Sequence, residues 1–289
     1  MGLQVEGDIT CSVCLNTSGN TLLFDVNGYK VYECPFCSHQ FLSEYSKSQL
    51  PIYEDSYFKG RFEGGYEETI ERRKNDFREI AKILLFYLNK TTNKTILEVG
   101  CASGGMLDVL KNEVGVNAEG LDISKYSSEL ARKKGHTVYC THFLDYKAHK
   151  QDDVVLFTDS FEHFRDVRVV VKKSYEILKN EGLIAIVLPN HSSFSATIYK
   201  EKFKDYVPPY HLNFFTMRSI CFLLRNYGFD ILAIEFPYFE SQWFNKEELQ
   251  KLGRDLIDYD MGKKFDHNQH AFWGNVMIAI AKKRKSEKP

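Results

Sequence analysis

No sign of charge dominates this sequence: Lys and Arg number 38 against 39 Asp and Glu, a formal net charge of -1. Such a balance leaves no broad basic field to hold a nucleic-acid backbone, so nucleic acid is not an expected partner. Long hydrophobic runs are also missing. The longest, such as Leu183 to Leu188, falls far short of the roughly 20 apolar residues that cross a bilayer, and no membrane span is expected. The opening MGLQVEGDIT has neither the basic nor the apolar region of a signal peptide, which makes the cytoplasm the expected location. Cysteine is scarce outside two CxxC pairs: of seven, only Cys101, Cys140 and Cys221 stand alone, a pattern that suits a reducing compartment better than a disulfide framework. What is present is 289 residues, 43% of them hydrophobic, enough for one large domain or two modest ones.

The two pairs are Cys11 and Cys14 in CSVC and, after nineteen intervening residues, Cys34 and Cys37 in CPFC. This spacing is expected of a tetrahedral four-thiolate zinc site. With four thiolates as ligands no position stays open for a substrate, so the expected role is structural; redox-active CxxC chemistry or a catalytic metal is the alternative. Between the pairs, Leu22 to Asp25 and Lys30 to Glu33 flank an Asn27-Gly28 turn and predict a hairpin. A unit this small needs the metal, whose binding is worth about 10–16 kcal/mol. His39 could substitute as a ligand but is read as a surface residue.

The chain is organised around Thr95 to Gly105, TILEVGCASGG. Ile96, Leu97 and Val99 predict a short strand buried on both faces, and Leu107, Leu110 and Val114 share one face of a following helix over 106–114. A strand, a glycine turn and a helix open a nucleotide-type α/β fold. A dinucleotide fingerprint wants GxGxxG, and Ala102 occupies its middle glycine position. Glu98 stands two residues before Gly100, where it would repel a pyrophosphate but suit the cationic amino group of S-adenosylmethionine. On these residues, EVGCASG, the chain resembles the class I S-adenosylmethionine-dependent methyltransferases, whose first motif is an acidic residue followed by GxGxG. The resemblance implies an α/β fold, a Rossmann-like seven-stranded methyltransferase sheet over residues 46–289, preceded by a small N-terminal four-cysteine zinc ribbon over residues 1–45.

It also implies roles along the chain. Glu98, Gly100, Ala102 and Gly104 would meet the cofactor, and a side chain at Gly104 would fill the space the ligand crosses. Asp122, at the end of a second strand from Asn117, would accept from the ribose hydroxyls beside Ile123, and Ser124 reads as the N-cap of the next helix. Phe143 and Leu144 would sandwich adenine, with Asp145 at its amino group. Ahead of the first core strand, PIYEDSYFKGRFEGGY would cover the methionine end, with Tyr57 and Tyr66 facing the sulfonium; a hydrophobic seam between ribbon and core is the plainer alternative. The fourth strand, from Asp152 through Phe157, breaks into TDSFEHF, which resembles the fourth motif of a subgroup containing quinone O-methyltransferases and sugar C-methyltransferases. Asp159 would lie nearest the cofactor, and the pair Glu162 and His163 at the substrate mouth or in a structural role.

After a fifth strand, GLIAIVLPN, the segment PPYHLNFFT carries His211, whose counterpart acts at the substrate in zinc-containing sugar C-methyltransferases. An imidazole titrating near pH 6.5 can serve as a general base. The catalytic candidates are therefore His211, His163 and Glu162, and the expected acceptor is a small molecule, a sugar or related metabolite methylated on oxygen or carbon. A helix capped by Thr216, a strand over 229–236, a helix within 245–259 and a closing strand over 276–281 complete the expectation. VPPY over 207–210 looks like the motif of amino-methylating DNA enzymes, but it follows the fifth strand instead of the fourth. A zinc-ribbon RNA-directed methyltransferase and a non-catalytic zinc-binding adaptor remain the alternatives.

Overall fold

A computed structural model describes residues 9–42, 66–89, 93–237, 254, 257–258, 261–262 and 274–285. The predicted hairpin forms as β1 (Thr21–Val26) and β2 (Tyr29–Glu33), followed by β3 (Gln40–Leu42). Asn27 and Gly28 both take positive φ, as a two-residue turn of that kind requires. Helices α1 (Tyr66–Arg72) and α2 (Lys74–Tyr87) lead to the core, and α2 buries Phe77, Ile80, Ala81 and Leu84. These four share one face because they recur at three- and four-residue steps, and each of the larger ones contributes about 1.5–3 kcal/mol on burial.

The central sheet comprises β4 (Thr95–Val99), β5 (Asn117–Asp122), β6 (Val138–Cys140), β7 (Asp152–Thr158), β8 (Leu178–Pro189), β10 (Phe229–Glu235) and β11 (Val276–Lys283). Its order is β10-β11-β8-β7-β4-β5-β6, with β11 antiparallel to both neighbours and the other pairs parallel. The seven-stranded α/β sheet expected from the sequence is therefore present. From β4 the chain moves outward to β5 and β6, then returns to place β7 on the other side. That reversal opens a crevice beyond the carboxyl ends of β4 and β7, where ligands of open α/β sheets bind.

The predicted helix over 106–114 divides into α3 (Gly105–Asp108) and a wider π turn over Val109–Glu113, with Met106, Leu107, Val109 and Leu110 all buried. Ser124 caps α4 (Lys125–Lys133) by accepting from Ser127 N, and Asp166 caps α5 (Val167–Ile177) in the same way. The stretch between β8 and His211 includes a short helix α6 (Phe194–Tyr199). Beyond it, β9 (Asn213–Phe214) precedes α7 (Met217–Asn226), whose N-terminus is closed by a reciprocal Thr216–Ser219 capping box.

A second, four-stranded sheet runs β1-β2-β3-β9. Its last strand comes from the far end of the chain, pairing Phe41 with Asn213 and Gln40 with Phe214. Beneath it Val31 and Leu42 pack with Tyr199, Phe203, Tyr206 and Phe214. Among the described residues no helix is long and apolar enough to cross a membrane. The predicted helix over 245–259 lies outside the described residues apart from Arg254, Ile257 and Asp258, which are helical.

Candidate functional site

Three groups of side chains carry chemistry. In the first, Cys11, Cys14, Cys34 and Cys37 bring their sulfurs within 4.8 Å of one another. The pairs Cys11–Cys37 and Cys14–Cys34 stand 3.6 and 3.4 Å apart. Four sulfurs around a zinc at about 2.3 Å are separated by roughly 3.8 Å, so the donor set and its geometry fit that ion. Each CxxC is followed by a residue in left-handed conformation, Leu15 (φ 63) and Ser38 (φ 58), which turns the chain back around the sulfurs. Metal analysis should return about one zinc per chain, and Cys34→Ser should lose metal and solubility together. A metal-free protein that is fully folded would overturn this. His39 is not a surface residue: it is fully buried, stacked on Phe41 and tilted against Phe215, with Nε2 3.2 Å from Asn213 Oδ1.

The second group lines the crevice. At Gly100 (φ 82) an added Cβ would lie 2.5 Å from Ser160 Cβ, so only glycine lets the turn after β4 meet the loop after β7. Ala102 takes φ 48, the left-handed conformation that the missing glycine would adopt freely, at a cost of about 1–2 kcal/mol. The Asp122 carboxylate ties this turn down: Oδ2 accepts from Ala102 N at 2.9 Å and Oδ1 from Ser124 N at 2.8 Å. At Gly104 (φ 85) an added Cβ would meet His136 at 2.8 Å and Ala131 at 3.3 Å, so packing against the end of α4 also constrains this glycine.

Glu98 lies at the carboxyl end of β4, 2% exposed, with Oε2 lacking a hydrogen-bond partner among the described residues. Burial pushes its carboxyl up to about 8, the neighbouring Asp122 charge adds to the rise, and Thr158 and Arg73 oppose it. A buried carboxyl with an unpartnered oxygen, its charge only partly offset by Arg73, is poised for a cation. Asp159, at positive φ, accepts from Arg73, which also faces Asp76 and sits over the Phe77 ring. Nothing in the sequence singles out Arg73, because no motif or spacing links it to Asp159, 86 residues away.

Phe143 is a core residue, 1% exposed, with Phe157 and Phe164 edge-on to it and the Lys173 ammonium over its ring. Leu144, next in the chain, and Ile123, just after β5, are partly exposed. Tyr57 lies outside the described residues; Tyr66 starts α1, and its side chain is likewise outside them.

The third group unites all three catalytic candidates. Glu162, in the short turn after β7, is 2% exposed, and its Oε1 lies 3.9 Å from Nε2 of both His163 and His211. The imidazoles meet edge to face at 4.9 Å. His163 Nδ1 lies 2.7 Å from the Tyr210 carbonyl, and His211 Nδ1 lies 2.8 Å from the Asp205 carbonyl. Carbonyls only accept, so each Nδ1 carries the proton and each Nε2 is turned toward Glu162. Burial raises the Glu162 carboxyl well above the ordinary range, the Asp159 charge adding to it, and Oε2 has no partner among the described residues. Such a cluster can hold or move a proton.

Compared with known proteins, residues 72–234 match the sequence family described as "Methyltransferase domain". A ubiquinone biosynthesis O-methyltransferase of Pelagibacter ubique is 31% identical over 106 residues, 34% of this chain and 43% of that protein, so the match spans less than half of the relative's length. Among solved structures, a chain of the complex containing the Haloferax volcanii Trm112 methyltransferase activator superposes with a TM-score of 0.58 at 13% identity, covering 75% of this chain and 95% of that one. The plantazolicin methyltransferase, in complex with a monoazolic desmethylPZN analogue and SAH, gives 0.52 at 21% identity, covering 76% and 86%. At these identities the structures speak for the fold.

Proposed function

Since the chain belongs to the methyltransferase-domain family, we propose that it transfers a methyl group from S-adenosylmethionine to a small-molecule acceptor, a sugar or related metabolite, with a histidine as general base. The observation that carries this reading is Glu98: a buried carboxylate, pushed up to about 8, with an unpartnered oxygen beside the glycine turn. The cofactor's ammonium would supply the remaining countercharge. Asp122 keeps lone pairs for the ribose hydroxyls while its two backbone bonds hold it in place. Ile123 and Leu144 would flank the adenine, and Arg73 and Asp159 would border the methionine end. Bound S-adenosylmethionine would supply an electrophilic methyl group, with a neutral thioether as the leaving group.

The protein's own part is to align an acceptor with that methyl and remove the acceptor's proton. Alignment can be worth about 7–11 kcal/mol and a general base about 10²–10⁴-fold. His211 Nε2 takes the proton, with its ring held in the productive tautomer by the Asp205 carbonyl. His163 and Glu162 flank the resulting imidazolium. The small-molecule character rests on the charge balance and on the name of the Pelagibacter relative. Calorimetric titration should show S-adenosylmethionine and its demethylated product binding one site per chain, and Asp122→Ala should abolish that binding. If neither ligand binds while a nicotinamide dinucleotide does, the reading fails. Methyl transfer across a panel of hydroxylated metabolites would then identify the acceptor.

A further inference from the structure

Asn213 lies in neither the cysteine cluster nor the proton-handling group, yet it bonds residues beside the first and the backbone of the second. It is 2% exposed. Its Nδ2 donates to the Phe164 carbonyl at 2.7 Å and to the Glu162 carbonyl at 3.3 Å. Those two acceptors settle the orientation of the amide, so Oδ1 must face the other way. There it accepts from Ser12 Oγ at 2.8 Å and lies 3.2 Å from His39 Nε2, which in this arrangement carries its proton. All four hydrogen-bonding positions of one side chain are used, two toward the ribbon and two toward the loop after β7.

The ribbon partners are not arbitrary. Ser12 sits inside the first CxxC and His39 two residues after the second, so each cysteine turn delivers one donor to the same oxygen. The backbone repeats the connection: β3 pairs with β9, Leu42 N donates to the Leu212 carbonyl at 3.2 Å, and Leu212 N donates to the Glu162 carbonyl at 3.1 Å. The second turn is held down as well, by Thr216 Oγ1 donating to the Ser38 carbonyl and Arg218 to the Phe36 carbonyl. We propose that Asn213 is a positioning residue through which the four-cysteine ribbon sets the geometry of Glu162, His163 and His211. On this view the ribbon is a structural wall of the acceptor site. The inference rests on the histidine-base reading only for its catalytic consequence, because the hydrogen bonds that carry it are independent of what the histidines do.

The test compares zinc-loaded Asn213→Leu and Ser12→Ala with the parent by metal content, cofactor titration, imidazole nitrogen NMR of His163 and His211, and the pH profile of turnover. Asn213→Leu should keep its zinc and bind the cofactor within about twofold of the parent, since it shares no partner with that site. Its His163 and His211 signals should move, and turnover should fall roughly tenfold or more with a displaced pH profile, because reacting groups tolerate little misplacement. Ser12→Ala, which removes one bond from the ribbon side, should move the same signals less, and it decides the matter if Asn213→Leu fails to fold. Unmoved imidazole signals in the zinc-loaded variants would overturn the proposal. Signals that move while turnover and its pH profile stay put would keep the positioning role and instead remove the histidines from the chemistry.

Discussion

Glu98→Gln is expected to weaken S-adenosylmethionine binding by about 3 kcal/mol, roughly 150-fold, while making the ligand-free protein more stable at pH 7. Both effects come from one buried charge. With its carboxyl pushed up to about 8 by burial, Glu98 holds its proton to higher pH in the fold than in the unfolded chain. The sign follows: its contribution to stability is complete below about pH 4.5 and is lost as pH rises toward 8. At pH 7 the loss is on the order of 3 kcal/mol, and a neutral glutamine avoids most of it. Thermal unfolding of the two proteins should therefore diverge above about pH 5 and converge near pH 4.5. Because the cation-binding form is the deprotonated one, the parent's affinity should tighten as pH rises from about 6 to 8, with a proton released on binding. Calorimetry in buffers of different ionisation enthalpy measures that release. A Glu98→Gln protein that binds like the parent, with no stability gain, would place the cofactor's ammonium elsewhere.

His211→Ala should keep cofactor affinity and lose about 10²–10⁴-fold in turnover, with His163→Ala milder. Both imidazoles present Nε2 to the same Glu162 oxygen at 3.9 Å, so distance does not rank them. The ranking rests on the two prolines, Pro208 and Pro209, that stiffen the approach to His211 in the segment after β8, whereas His163 belongs to the turn that closes β7. Single-turnover rates at saturating cofactor separate the chemical step from binding. If His163→Ala proves the more damaging, the Glu162–His163 pair carries the chemistry and His211 packs against it.

Much of the fold was legible because its signals are local. A short apolar run ending at Gly100, another ending at Pro189, and the cap residues Ser124 and Thr216 each act through neighbours a few positions away, and the strands and helices formed where those signals placed them. The paired CxxC spacing likewise named its own chemistry. Glu98 is legible from its place two residues before Gly100, whereas Glu162, His163 and His211 are legible only through the resemblance to methyltransferase motifs. Their mutual geometry was a different matter. That one Glu162 oxygen lies near both histidines depends on the turn after β7 meeting the segment after the neighbouring strand β8. Phe143 looks as suited to an adenine as to a core, and only packing against Phe157 and Phe164 decided for the core. His39 reads as a surface residue until β3 is covered, and no motif or spacing links Arg73 to Asp159. Asn213 is the extreme case: an amide in LNFF carries no periodicity or motif, and its partners Ser12 and His39 lie 201 and 174 residues away. Composition and local pattern determined which elements form and which chemistry they carry; the tertiary structure alone decided which polar groups share a partner, because hydrogen bonds between distant segments leave no trace in the spacing of either.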